Sequence, residues 1–467
     1  MHQRIDRIRK LRLENTQIVS AAYESGGEFC RVVWETSFGK GSLINSEIWL
    51  PADWNGIFAG LGNGGMAGAI WHDSLEVYIK MGYAVAQTDM GTSGGRKCGV
   101  GNPEVWKDFG WRATHAMTET GKEIVCAFYG SRAEYSYFIG GSTGGQQALS
   151  EAQRFPQDYD GIIAGVPANN RVFLHTYFLW NHNHLRTPDG RVMFSEQEIR
   201  RISECAAEYF QSIGDGEAGD RFVSFPYAGA DTVKNFISYL GKSCPFSAEQ
   251  LSALEAVYNG PVNPVTGKQI YNGMPIGSEM YGCGISDCQS EESPHFYPFV
   301  WAFGEDYNGY DFDFNKDLER LGDVLSGDLD ANSADLDAFK KHGGKLIAYS
   351  GSADPCVPFP DAMGYTGRVM EKMGGYNKAA ECFRYFLLPG KDHGEGGLGA
   401  NVLWGDTAGK TDALDSLRLW REKGIAPQYL VAARVENGQT VFARKIYPYG
   451  SGQNPKREFT KICEYIK

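Results

Sequence analysis

The chain has 467 residues, 42% of them hydrophobic and 22% charged, which is the balance of a globular protein with ample core material and excludes disorder over most of its length. Lysine and arginine number 45 against 57 aspartates and glutamates, and a net charge of −12 argues against nucleic acid or an anionic membrane surface as the main partner. No stretch approaches the roughly 18–20 consecutive apolar residues of a membrane-spanning helix.

The first 23 residues carry early positive charge without the apolar run of about 7–15 residues that a secretory signal needs, so a cytoplasmic location is expected. The first third then alternates short apolar runs with glycine turns and amphipathic stretches. SEIWL (46–50), GIFAGL (56–61) and GYAVAQTD (82–89) predict strands, with a helix between Ser74 and Met81. Helical spacing over 108–130, closed by a glycine, predicts a crossover helix, followed by a strand at 135–140, a helix at 146–155 and a strand at 160–168.

From about Asn169 to Asp335 the character changes to clustered aromatics and Gly/Pro/Asn turns, with scattered helical segments such as 195–210. This predicts an inserted lid domain, 169–335, within a catalytic domain built from 1–168 and 336–467. Strands resume at KLIAYSG (345–351) and FRYFLLPG (383–390), and a hairpin over 431–446 turns at Asn437 and Gly438. The ten cysteines form no zinc pattern and are expected to be mostly thiols.

The segment YSYFIGGSTGGQQALSEAQRF sets Gly140, Ser142 and Gly144 in a GxSxG frame between a predicted strand and a predicted helix. That context marks a nucleophile elbow: small residues on either side let strand and helix approach, and the serine hydroxyl is exposed at the sheet edge. The Thr143 backbone N–H then faces a developing oxyanion. A second donor is expected from GIFAGLGNGGMAG, where Gly64 and Gly65 are equal candidates. Such a fold, an α/β-hydrolase core with a large inserted lid, needs an acid and then a histidine on later loops. Asp354 follows the strand 345–351, and His393 follows 383–390 in a glycine-rich loop; Asp392 and Asp361 are the competing acids, ranked second and third.

These residues, with WNGIFAGLGNGGMAG, GYAVAQTDMGT, SGSADPCVPF and PGKDHGEGGLG, make the chain resemble the tannase and feruloyl esterase family across nearly all of the core. The resemblance implies a serine hydrolase of phenolic-acid esters, such as ferulates or gallates, with Ser142, Asp354 and His393 as its triad. The resemblance implies that most relatives carry a disulfide between a cysteine before the nucleophile and one after the histidine; here those positions are Gly141 and Gly394. Relatives often bind calcium in an Asp-rich lid loop flanked by paired cysteines, whose nearest counterpart is SIGDGEAGD (212–220), between Cys205 and Cys244, with Asp215, Glu217 and Asp220 as weak candidate ligands. No other cofactor is expected. His182 and His184 lack an acidic partner at ligand spacing and are not read as metal ligands.

Phe173, Tyr177, Trp180 and Trp301 are candidates to stack against an aromatic acyl group, in a region where lid core is the competing role for each. The expected partner is a small aromatic ester. Two other readings use the same residues: an acyltransferase that excludes water, and an aromatic-ligand-binding protein with a decayed site.

Overall fold

The strands β4 (Ile57–Leu61), β5 (Ala84–Thr88) and β7 (Gly161–Gly165) are buried at every position, so their runs of apolar and small residues do not alternate. Strands covered on both faces read this way. The computed structural model describes residues 2–187, 189–227, 229, 231–290, 296–407 and 409–453. Its chain divides into two units: Met1–Arg171 with Tyr297–Tyr307 and Leu321–Leu346, and Val172–Phe296 with Asn308–Arg320 and Ile347–Lys467.

The first unit starts with helix α1 (His2–Arg9) and the strands β1 (Thr16–Glu24), β2 (Phe29–Thr36) and β3 (Ile44–Pro51). With β6 (Tyr135–Gly141) these strands lie in the order β1-β2-β3-β5-β4-β6-β7. The pairs from β1 to β5 are antiparallel, and β5/β4, β4/β6 and β6/β7 are parallel. Parallel neighbours require crossovers, supplied by α2 (His72–Lys80), the short α3 (Pro103–Lys107), α4 (Ala113–Tyr129) and α5 (Thr143–Arg154). The expected helix over 108–130 opens with a π-helical turn at Asp108–Arg112, and the Gln146 amide donates to the Gly110 carbonyl at 2.7 Å. It stops at Gly130, whose φ of 83° is left-handed and whose N–H caps Cys126 O.

The second unit carries most of α6 (Arg171–His184), then α7 (Glu196–Ser212), α8 (Thr232–Ser243) and α9 (Ala248–Asn259). Capping boxes at Ser195/Glu198 and Ser247/Gln250 fix the starts of α7 and α9. Strand β8 (Lys345–Gly351) neighbours β9 (Phe383–Leu388), and β10 (Val402–Trp404), β11 (Leu430–Glu436) and β12 (Gln439–Ile446) form a separate antiparallel sheet. The β11–β12 hairpin turns at Asn437 and Gly438, both with positive φ, as the two-residue turn demands. Among the described residues, no helix is long and apolar enough to cross a membrane.

Candidate active site

Ser142 lies between β6 and α5 with φ 61° and ψ −118°, a conformation that is costly for a residue with a side chain. The surroundings impose it. Its N–H donates to Gly165 O at 3.0 Å, and its carbonyl accepts from Gln146 and Ala168 at 3.1 Å each. The glycines serve as the elbow requires: a Cβ on Gly62 would lie 2.5 Å from the Cα of Gly144, and one on Gly145 would lie 2.5 Å from Gly165 O. Gly141 is different, since a Cβ there would meet Gly165 O at an ordinary 3.7 Å.

The β4 loop is bound tightly to this turn. Gly144 N–H donates to Asn63 O at 2.7 Å, Asn63 N–H donates to the Gln147 side chain at 2.8 Å, and the Asn63 amide donates to Thr88 O at 2.8 Å. The Thr143 hydroxyl donates to Gly65 O at 2.5 Å, which joins the two segments expected to supply oxyanion donors. The backbone N–H groups of Thr143, Gly64 and Gly65 have no partner among the described residues. Asn63 and Gln147 were missed by sequence reasoning; the signal was a polar residue held between the glycines of GLGNGG.

In the second unit, Asp354 is fully buried just after β8. One carboxylate oxygen accepts the N–H groups of Cys356 and Val357 at 2.8 and 2.9 Å, and the other accepts His393 Nδ1 at 2.8 Å. Burial alone would lower the His393 pKa, but the charge of Asp354 and its hydrogen bond outweigh burial and hold it above the usual imidazole value. The competing acid Asp392 is occupied locally, accepting Gly397 N–H at 3.0 Å, and Asp361 lies in the first turn of the helix Phe359–Lys372. Ser142 thus belongs to the first unit and the hydrogen-bonded Asp354 and His393 to the second.

The aromatic candidates lie as follows. Tyr177 is fully buried, with its hydroxyl on Pro355 O at 2.8 Å, and Trp301 is buried, with its indole N–H on Arg96 O at 2.7 Å. Trp180 is half-buried and donates to Ala256 O at 3.0 Å, and Phe173 is half-buried on α6. His182 bonds the Cys288 carbonyl and the Tyr310 hydroxyl, and burial lowers its pKa.

In the acidic loop, both oxygens of Asp220 are taken by the Arg444 guanidinium at 2.6 and 2.9 Å, with Glu217 3.3 Å from the same guanidinium. Asp215 accepts Ser224 N–H at 2.7 Å. The Cys205 and Cys244 sulfurs lie 3.3 Å apart.

A parallel-centred sheet with a strained serine between glycines at its strand-to-helix turn defines an α/β-hydrolase, here a carboxylic ester hydrolase. Residues 30–292 and 303–465 match the family described as tannase and feruloyl esterase. The chain is 29% identical to a probable feruloyl esterase B-2 of Aspergillus fumigatus, over 91% of this chain and 81% of that one. It is 31% identical to an uncharacterized esterase of Xanthomonas campestris pv. campestris, over 88% of this chain and 78% of the other. The crystal structure of feruloyl esterase B from Aspergillus oryzae shares the fold, with a TM-score of 0.82, 23% identity and 94% coverage of both chains. The chain belongs to the tannase and feruloyl esterase family.

Proposed function

We propose that the protein hydrolyses esters of phenolic acids, of the hydroxycinnamic or gallic type, through an acyl-enzyme on Ser142. The observation that carries this is the left-handed Ser142 held between tightly packed glycines, a conformation retained where a nucleophile must be presented. His393 takes the Ser142 proton as the hydroxyl oxygen attacks the ester carbonyl, while the Asp354 carboxyl group fixes the imidazole tautomer. The backbone N–H of Thr143 and one from Gly64 or Gly65 receive the oxyanion. The tetrahedral intermediate collapses, the alcohol leaves with the proton held by His393, and water, activated by the same imidazole, releases the acid.

Residues 169–335 act as the lid, and its aromatic residues, Phe173 and Trp180 among them, offer ring faces to a phenolic acyl group. The acidic loop works without calcium, because the Arg444 guanidinium already meets the charge of Asp220 and Glu217. In this reading the protein works in a reducing cytoplasm, where a clamp at Gly141 and Gly394 would bring no advantage.

A small aryl ester should give a burst of alcohol release that Ser142→Ala abolishes, and a panel of methyl ferulate, methyl gallate, chlorogenate and alkyl acetates should favour the phenolic esters. Wild-type turnover by Ser142→Ala, or equal rates across the panel, would refute the reading. Alcohol acceptors added to the same assay separate hydrolysis from acyl transfer by product ratio.

A further inference from the structure

Arg171 opens α6, where a cation opposes the helix dipole, and it is 3% exposed. Among the described residues it has no carboxylate partner. Its Nη1 donates to the Tyr297 hydroxyl at 3.0 Å, its charge lies 5.2 Å from the Phe109 ring centroid, and its Nε is unpaired. A buried, uncompensated guanidinium at the wrong end of a helix is destabilising and needs another reason to be there. The remaining contact supplies one: Nη2 donates to the Thr143 hydroxyl at 3.0 Å.

A guanidinium donates and never accepts, so it fills a lone pair of Thr143 and leaves the hydroxyl proton for Gly65 O, 2.5 Å away. The chain Arg171 to Thr143 to Gly65 runs in one direction only, and each bond polarises the next. We propose that Arg171 is a positioning residue for the oxyanion hole, locking Thr143 and Gly65 together and placing a positive charge behind their N–H donors. This rests on Ser142 being the esterase nucleophile. The neutral ester in the ground state gains little from that charge, and the oxyanion gains much, so the effect falls on kcat.

The test measures kcat and KM on an uncharged ester, methyl ferulate, for Arg171→Gln, Arg171→Lys, Thr143→Val and the Arg171→Gln/Thr143→Val double variant, with thermal unfolding as the check on folding. Arg171→Gln should lower kcat about 10- to 100-fold with KM within about twofold, less than a direct oxyanion donor can cost. Arg171→Lys should recover part of it. Thr143→Val should lose a similar amount, and the double variant little more than the worse single one, because the residues act in series. Unchanged kcat in folded Arg171→Gln, fully additive losses, or a loss confined to KM would overturn the proposal. Should Arg171→Gln not fold, unchanged kcat in Thr143→Val overturns it equally. Ser142→Ala in the same series separates the two levels. If it stays active, the esterase site itself is misassigned; if it is dead while Arg171→Gln keeps its kcat, only the role of Arg171 fails.

Discussion

His393 Nδ1 donates to Asp354 Oδ2 over 2.8 Å, while two backbone N–H groups fill the other oxygen of that carboxylate. The backbone thus fixes the orientation of the carboxylate and turns its second oxygen toward the histidine. Asp354→Asn should lower kcat by about 10³- to 10⁴-fold by permitting the wrong tautomer. Because the pair holds the imidazole pKa up, wild-type kcat/KM should rise with pH through a value above the ordinary 6.5, and the variant should titrate lower. The sign for stability is opposite. A raised imidazole pKa contributes stability fully below about pH 6.5, lost as pH rises through the folded value. Urea unfolding of both proteins across pH 6 to 9 checks this, and a stability gap that does not narrow with rising pH would contradict it.

The strain at Ser142 can be measured by two substitutions that both delete the hydroxyl. Glycine tolerates a φ of 61° and alanine does not, so Ser142→Gly should be more stable than Ser142→Ala by about 1 kcal/mol, after the extra freedom of the unfolded glycine chain is subtracted. Equal melting temperatures would mean that the turn is relaxed.

Arg444→Gln leaves the largely buried Asp220 carboxylate without its cation and should cost about 2–3 kcal/mol. Burial alone would raise the Asp220 pKa, but the Arg444 hydrogen bond and its neighbours outweigh burial and hold it low. Its stabilisation is thus present above the unfolded value of about 3.9 and lost as pH falls through the folded one. The gap between wild type and variant should close in acid. Calcium and chelator should leave the wild-type melting temperature unchanged, whereas calcium should partly rescue the variant; a wild type that melts earlier in chelator would reverse the assignment.

Tyr177 braces the acid loop from α6 through Pro355 O at 2.8 Å. Tyr177→Phe keeps the ring and should lose about 1 kcal/mol with a small fall in kcat. Tyr177→Ala opens a core cavity and should lose about 3–5 kcal/mol. Scanning calorimetry distinguishes them, and equal losses would mean that the hydroxyl carries the stability.

What could be read from the sequence was local. Strand β6, the glycines of the elbow, Gly130 and the Asn437–Gly438 turn each announce themselves by residues a few positions apart, and Asp354 and His393 follow apolar strands in the expected order. The hairpin β1–β2 escaped because β1 is largely solvent-facing and its residues TQIVSAAYE lack a clean alternation. Helices α8 and α9 were hidden in a region whose turns and aromatics suggested irregular chain. Long-range pairs were beyond reach: Arg444 and Asp220 are 224 residues apart, and Arg171 stood in an aromatic run with nothing local to show that its charge turns toward Thr143.

Gly141 and Gly394 are spacious glycines, whereas Gly62, Gly140 and Gly145 are wedged. A side chain at Gly141 would meet its neighbours at 3.7 Å, and one at Gly394 would meet the Asp392 carboxylate at 3.7 Å, both ordinary contacts. The space at these two positions means that a small side chain at either would be accepted without rebuilding the backbone around it, unlike one at Gly62 or Gly145.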